Sequence, residues 1–485
     1  MSGAAGRSTL RSFLAIDERE KLVQLAQTVR GRVLLFAVAV LAVSTYNSWW
    51  EAAFVVGAAM AFAYLEKQRQ LILFAATYLM AFSALWLSET AIEESIAVVA
   101  AQERAAQFSP LLLAHLALIT FMIFSWLALM VVRSHKGFIL ARRPVIALLT
   151  VEFALCGLTS LDLVHGLPRL ALWSFLSVYT PYIWFLAYAI VDQRARDRSP
   201  DAFQLGTFHP FWGGPSSIPF GKGAGFLRKT LSKTPADLAI TQIKGVKLLL
   251  WSNVLLAMKV ALTWICEQKL SIPSVELALG AYLDGQAFPV LIGWSAVFWS
   301  TAKFCLRTAY WGHLFIGGAR LAGFRLPRAT WRPLEARTLI EYFNRFSYYF
   351  KELLVDFFFV PTFFRVFRRH PRLRMFFATF MAAGVGNVIF HFVREVDLVA
   401  AMGVSAAIES FTSYAFYCLV LATGIGISQV RANAGYRPSS TLAGRLWSFV
   451  SVWGFVVCLH VFSDESRRHT LLERASFLAS LFGVG

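Results

Sequence analysis

The stretch 108–132, FSPLLLAHLALITFMIFSWLALMVV, runs without a single Asp, Glu, Lys or Arg. A helix crossing a bilayer needs about 20 such residues, and in hydrocarbon every backbone polar group must be satisfied internally. Comparable apolar runs occupy 31–48, 52–65, 71–87, 144–160, 170–191, 244–266, 286–301, 375–392, 399–428 and 443–462. They predict an all-α, polytopic membrane protein of about ten or eleven transmembrane helices. Residues 1–30 are polar and mixed in charge, which predicts a cytoplasmic amphipathic N-terminus in place of a signal peptide. Residues 31–485 then form a single transmembrane domain, since no loop is long enough for a second, soluble one.

Charge sets the orientation. The formal net charge of +18 suggests nucleic acid at first sight, but the cations are scattered over loops and form no exposed stripe alternating with aromatics. Positive-inside topology accounts for them: Lys67 and Arg69, Arg133–Arg143, the loop from Arg194 and Arg320–Arg332 all fall on the cytoplasmic side. The acidic connection around Glu93 and Glu94 falls outside. The longest polar connection, 192–243, carries Gly and Pro clusters and predicts either a re-entrant loop lining an access path or a flexible linker. Its GKGAGF lacks the spacing of a phosphate loop. The basic run 302–340 reads as snorkelling side chains or as partners for donor phosphates.

Against this background Tyr342–His391 stands apart. It reads YFNRFSYYFKELLVDFFFVPTFFR, then a basic break at Arg368–Arg374, then MFFATFMAAGVGNVIFH. Asn344, Arg345, Lys351, Glu352 and Asp356 are too many polar groups for a lipid-facing helix, and such groups at membrane depth normally face protein or a wet cavity. The pattern predicts tilted or re-entrant helices around a central cavity. Arg345 and Asp356 should face protein, and Pro361 should end or bend the element. Asn387 and His391, four residues apart, share a helical face.

This segment resembles the signature of the membrane-bound O-acyltransferase (MBOAT) family, bacterial type, including members that transfer D-alanyl groups or O-acetylate polysaccharides. Placed on it without gaps, Arg345 falls on a family Arg, Phe346 on a Trp, Asp356 and Phe357 on an Asp-Tyr pair, and His391 on the catalytic His. Ser347 departs, standing where many members carry a second His or an Asn, and Asn344 lies one turn earlier. The resemblance covers about fifty residues, and it implies transfer of an acyl group from a thioester donor such as acyl-CoA, with no bound cofactor. The acceptor would be a hydroxyl of an extracytoplasmic glycan or a lipid, and a secreted or membrane-anchored protein would complete the transfer. The location would be the bacterial inner membrane.

Acyl transfer to a hydroxyl needs a base and a means of stabilising charge on the carbonyl oxygen. His391 is the candidate general base, with Ser347 and Asn344 as further catalytic candidates. Asn387, Arg345, Asp356, Lys351 and Glu352 are candidate tunnel-lining groups, the four charged ones forming one internal ion-pair network. Against this stands a hydrogen-bonded structural role for His391 and a plain packing role for Ser347. Glu409, inside the 399–428 run, either meets a buried cation or the cavity, or is neutral and bonded to Ser410 or Ser413. The other histidines form no HxxxH or HExxH pair, so no metal is expected, and the five cysteines lack CxxC spacing. Two other functions fit the composition: a transporter or flippase with a similar charged cavity, and a non-catalytic scaffold of acyltransferase descent. The orientation predicts that a cysteine at position 230, in a cysteine-free background, reacts with an impermeant thiol reagent from the cytoplasmic side only. Labelling of intact cells from outside would overturn it.

Overall fold

The computed structural model describes residues 16–82, 92–160, 164–213, 218–463 and 469–484. The regular elements there are helices, and the sole extended pairing is an isolated bridge between Leu231 and Phe324. The first half of the expected N-terminal helix and the end of the expected 71–87 run lie outside these residues. Helices begin where a small polar residue precedes an apolar run. Ser109 caps Pro110–Ser134 and Thr234 caps Pro235–Thr263, each followed by Pro at the first helical position.

Among the described residues six helices are long and apolar enough to cross a bilayer, or seven if Glu20–Gln27 and Val29–Val43, bent by 96°, count as one. Two further expected spans, Trp49–Tyr64 and Pro144–Ser160, are helical but only 16 and 17 residues long. The expected 286–301 span is the first half of Val290–Leu321, and Lys303, Arg307 and Arg320 make the second half too polar to count. The helix therefore runs well into the stretch expected as a basic connection. The expected 399–428 helix is two, Val396–Ser410 and Thr412–Asn433, and the first is kinked at Gly403, whose φ of 82° a residue with a Cβ rarely adopts. The break places Glu409 at an exposed helix end. Neither Ser410 nor Ser413 bonds its carboxylate, because their hydroxyls donate to the carbonyls of Ala407 and Phe462.

Gly166–Gln193 is the axis of the molecule, with 83% of its apolar window buried. Tyr179 donates to the carbonyl of Leu148 at 2.9 Å, and Phe121 stacks on Tyr182 with centroids 5.3 Å apart, tying the neighbouring helices to it. The second wing is built on the antiparallel pair Pro235–Thr263 and Val290–Leu321. Lipid is as apolar as a leucine side chain, so association here depends on close packing and interhelical hydrogen bonds. Gly245 and Gly317 let the two backbones meet, while Gln242 donates to the carbonyl of Leu321 at 3.0 Å and Ser252 to that of Tyr310 at 2.6 Å. At the C-terminal end Arg474, 1% exposed, binds Glu276 at 3.2 Å and the carbonyl of Val461 at 2.9 Å, pinning Leu471–Leu481 to Val275–Leu283.

A methyl group on Gly245 would lie 2.9 Å from the carbonyl oxygen of Gly317 and 3.2 Å from the amide nitrogen of Leu321, and neither backbone atom can swing aside. Gly245→Ala should destabilise the detergent-solubilised protein by about 1–3 kcal/mol, the usual cost of overpacking. Gly157→Ala, whose methyl meets nothing within 4 Å, should leave the melting temperature unchanged. Equal melting of both variants would show that this contact does not hold the wing together.

Candidate functional site

Thr338 caps Leu339–Phe346 by accepting from the Glu341 amide at 3.2 Å. The helix then stops at Ser347, which is extended (φ −143°, ψ 86°), and resumes as Tyr348–Leu354. Breaking a helix orphans carbonyls and amides that membrane surroundings cannot satisfy. Residues 329–331 supply partners: the Trp331 amide donates to the Arg345 carbonyl and the Tyr348 amide to the Ala329 carbonyl, both at 2.8 Å, and the Thr330 hydroxyl donates to the Phe346 carbonyl at 2.7 Å. Ser347 is thus the joint of a broken helix, not a residue within one.

The second helix continues through a π turn, Val355–Phe359, into Val360–Phe363. Pro361 does not stop it. A proline ring normally strikes the carbonyl four residues back, and the wider π turn lies where that strike would fall. The element begins beside Ser428, near the end of Thr412–Asn433, where the Ile340 amide donates to the Ser428 hydroxyl at 3.2 Å. It finishes near Arg194, at the end of Gly166–Gln193, since Asp356, Arg365 and Arg194 line one cleft. It is a broken element and not one straight helix.

The break sorts the expected ion-pair network into two groups. Arg345 turns to Glu335 (3.6 Å), Glu341 (3.9 Å) and the ring of Trp331 (5.3 Å). With Asn344, which is exposed, it lines a pocket of about 420 Å³ that also holds Arg328, Trp331 and Tyr348. Lys351, Glu352 and Asp356 instead gather around Lys222. The Lys222 ammonium reaches Glu352 at 2.6 Å and Asp356 at 3.1 Å, Lys351 reaches Glu352 at 2.8 Å, and the Tyr188 hydroxyl donates to Asp356 at 2.9 Å. The four charged residues are therefore not one network, and its centre, Lys222, was not among the expected site residues. The available signal was a lone cation inside GKGAGF. Lys222 adopts a left-handed φ of 53° and precedes Gly223 (φ 79°), whose missing side chain lets the loop lie on Tyr188, 2.8 Å from where a Cβ would stand. The described part of the connection 192–243, which leaves out 214–217, is packed into the fold and is not a free linker. Phe203, Leu205, Phe208, Phe211 and Trp212 are buried, and Lys222 lines the cleft with Asp356.

His391 lies in the second half of the segment. Pro371–Phe380 passes through another π turn, Met381–Gly386, into Asn387–Phe392. Gly386 admits the Phe358 ring against the backbone, 2.7 Å from where a Cβ would be. Half-buried His391 is walled by the rings of Tyr414 (4.7 Å), Phe390 (5.2 Å) and Phe350 (5.8 Å). Asn387, one turn earlier, is 3% exposed, and among the described residues its Oδ1 has no hydrogen-bond partner. Tyr414 is a further neighbour that sequence spacing does not reveal, because it comes from another helix. Between His391 and the Lys222 cluster runs a chain of ring contacts: Phe390 meets His391, Trp184 packs on Phe390, Phe357 and Phe358, and Phe357 packs on Tyr188. Among the described residues no group of three His, Cys, Asp or Glu is placed to hold a metal. No protein-family model matches the chain, and no curated protein matches it.

Burial raises the Glu352 carboxyl, but hydrogen bonds from Lys222 and Lys351 outweigh it and hold its pKa below the ordinary value. Burial lowers the Lys222 ammonium, and Glu352 and Asp356 outweigh that in turn, leaving its pKa raised. The Glu352 contribution to stability is therefore complete above its unfolded pKa of about 4.3 and is lost as pH falls through the lower folded value. The Lys222 contribution is complete below its unfolded pKa of about 10.4 and is lost as pH rises through the higher folded value. Glu352→Gln should cost about 2 kcal/mol at pH 7, the scale of a hydrogen-bonded charge. Melting curves of both proteins should converge as pH drops below about 4. A gap that stays constant down to pH 3 would remove Glu352 from the linkage.

Proposed function

We propose that this chain is a membrane O-acyltransferase of MBOAT type, with His391 as general base. The observation that carries the proposal is the pairing of half-buried His391 with Asn387, whose buried Oδ1 lacks a partner among the described residues, on one helical face behind a π turn. An unsatisfied buried acceptor costs about 1–3 kcal/mol, which a ligand hydroxyl donating to it would recover. His391 takes the proton of a second hydroxyl, the one to be acylated, as its oxygen attacks the thioester carbonyl. The C–S bond then breaks and the thiolate leaves, taking the proton from the imidazolium. The donor is acyl-CoA or another thioester reached from the basic side, and the acceptor is a hydroxyl of an extracytoplasmic glycan or a lipid. The setting is the inner membrane of a bacterium, with short helices completing about ten or eleven spans around a central cavity. A secreted or membrane-anchored partner would finish the transfer.

One observation favours a non-catalytic scaffold instead. Ser347, where the family pattern places a second His or an Asn, is a helix joint whose hydroxyl makes no hydrogen bond among the described residues. Labelled acetyl-CoA with purified protein and a polysaccharide acceptor separates the readings. In the enzyme, His391→Ala lowers acceptor-dependent thioester consumption by roughly 10²–10⁴-fold with melting unchanged, while Ser347→Ala is much milder. Near-wild-type turnover by folded His391→Ala, with a severe loss in Ser347→Ala, would move the chemistry to the joint. No acceptor-dependent consumption by the wild-type protein would favour the scaffold or a transporter.

A further inference from the structure

The Lys222 cluster forms the floor of a cleft of about 520 Å³ at the ends of Pro144–Ser160 and Gly166–Gln193. Six cations line it, Arg142, Arg143, Arg194, Lys222, Lys229 and Arg365, against two carboxylates, Asp192 and Asp356, so the lining carries a formal excess of four positive charges. Both carboxylates are engaged by the protein. Asp356 accepts from Lys222 and Tyr188, and Asp192 accepts from the Ser199 amide at 3.0 Å and from Gln204 at 2.7 Å. Glu352 and Asp356 neutralise Lys222. Among the described residues the other five cations are in no ion pair, and all five are exposed. Positive-inside bias explains why each of them is cytoplasmic but not why they converge on one concave surface.

The cleft also opens toward the bilayer. Ile146 and Val191 belong to its wall and are 49% and 44% exposed. From Ile146 a stripe continues through Thr150 to Phe153, 46% exposed, at the four- and three-residue spacing of one helical face. A cationic pocket at the ends of membrane helices, continuous with an apolar stripe running into the hydrocarbon, matches a molecule with a phosphate head and acyl chains. A soluble phosphate would use the cations and leave the stripe without a role.

We infer that this cleft binds the headgroup of an anionic phospholipid, with Arg142, Arg143, Arg194, Lys229 and Arg365 around the phosphate and an acyl chain along Ile146, Thr150 and Phe153. The inference does not rest on the acyl-transfer reading. Its test is retention of lipid by the full-length protein in detergent, measured by native mass spectrometry after exchange against phosphatidylglycerol or phosphatidylcholine. Wild-type protein should retain phosphatidylglycerol selectively. Arg143→Gln/Arg194→Gln should weaken that retention by roughly 25-fold, the product of about fivefold for each interfacial cation. Phe153→Asn, which leaves every charge in place, should also weaken it. If the arginine pair does not fold, Lys229→Gln/Arg365→Gln, on exposed side chains, takes its place with the same expectation. Equal retention of the two lipids, or undiminished retention by a folded double variant, would overturn the inference. So would displacement of the lipid by free coenzyme A or inorganic phosphate at millimolar concentration, which would assign the cations to a soluble ligand.

Discussion

The three hydrogen bonds between 329–331 and 345–348 are what allow a helix to stop at Ser347. An uncompensated break in a water-poor setting would cost several kcal/mol for each exposed backbone group. With the partners in place the chain can turn between Phe346 and Tyr348, and the side chains before and after the joint point to different surroundings. Arg345 and Asn344 end up on the side of Trp331, and Lys351, Glu352 and Asp356 on the side of Lys222. The separation of charge follows from backbone satisfaction and not from any preference of the side chains themselves.

Between the charged cluster and His391 runs a chain of ring contacts. Trp184 sits one turn before Tyr188, about 6 Å along the helix axis, so a single helix contributes both to the polar side and to these rings. Aromatic rings pack densely in offset and edge arrangements and keep water out while presenting no group that competes for a proton. The buried Oδ1 of Asn387 therefore stands in low-dielectric surroundings, where a hydrogen bond is stronger and an unpaired acceptor more costly than in water.

Much of the architecture is legible in the sequence because a bilayer asks for one thing, long apolar helices, and the runs that supply it are visible. Pro144–Ser160 has the bounds its apolar run gives it, and the broken character of 342–366 follows from its polar content. What escapes is set by atoms far apart in the chain. Nothing near Lys222 announces that Glu352 and Asp356, 130 and 134 residues later, will neutralise it, since the pairing depends on Gly223 lying against Tyr188. The expectation of one network joining Arg345 to Asp356 fails likewise, because charged residues in one segment give no sign of a joint between them. Glu409 shows the same limit: the run 399–428 is apolar on both sides of Glu409–Ser413, and the break at Phe411 is one of backbone geometry.

The π turns at Val355–Phe359 and Met381–Gly386 bear on how this chain is to be lined up with any other. A π turn absorbs one inserted residue within an α-helix, and in a helix of 3.6 residues per turn the same residue held in α geometry would rotate everything beyond it by about 100°. His391 is aimed where it is because of the inserted residue just before Asn387. A homologue with an uninterrupted helix here and one residue fewer would point an equivalent imidazole at the same rings. One with the same residue count and no π turn would present its histidine on a different face, although the two sequences would align without a gap.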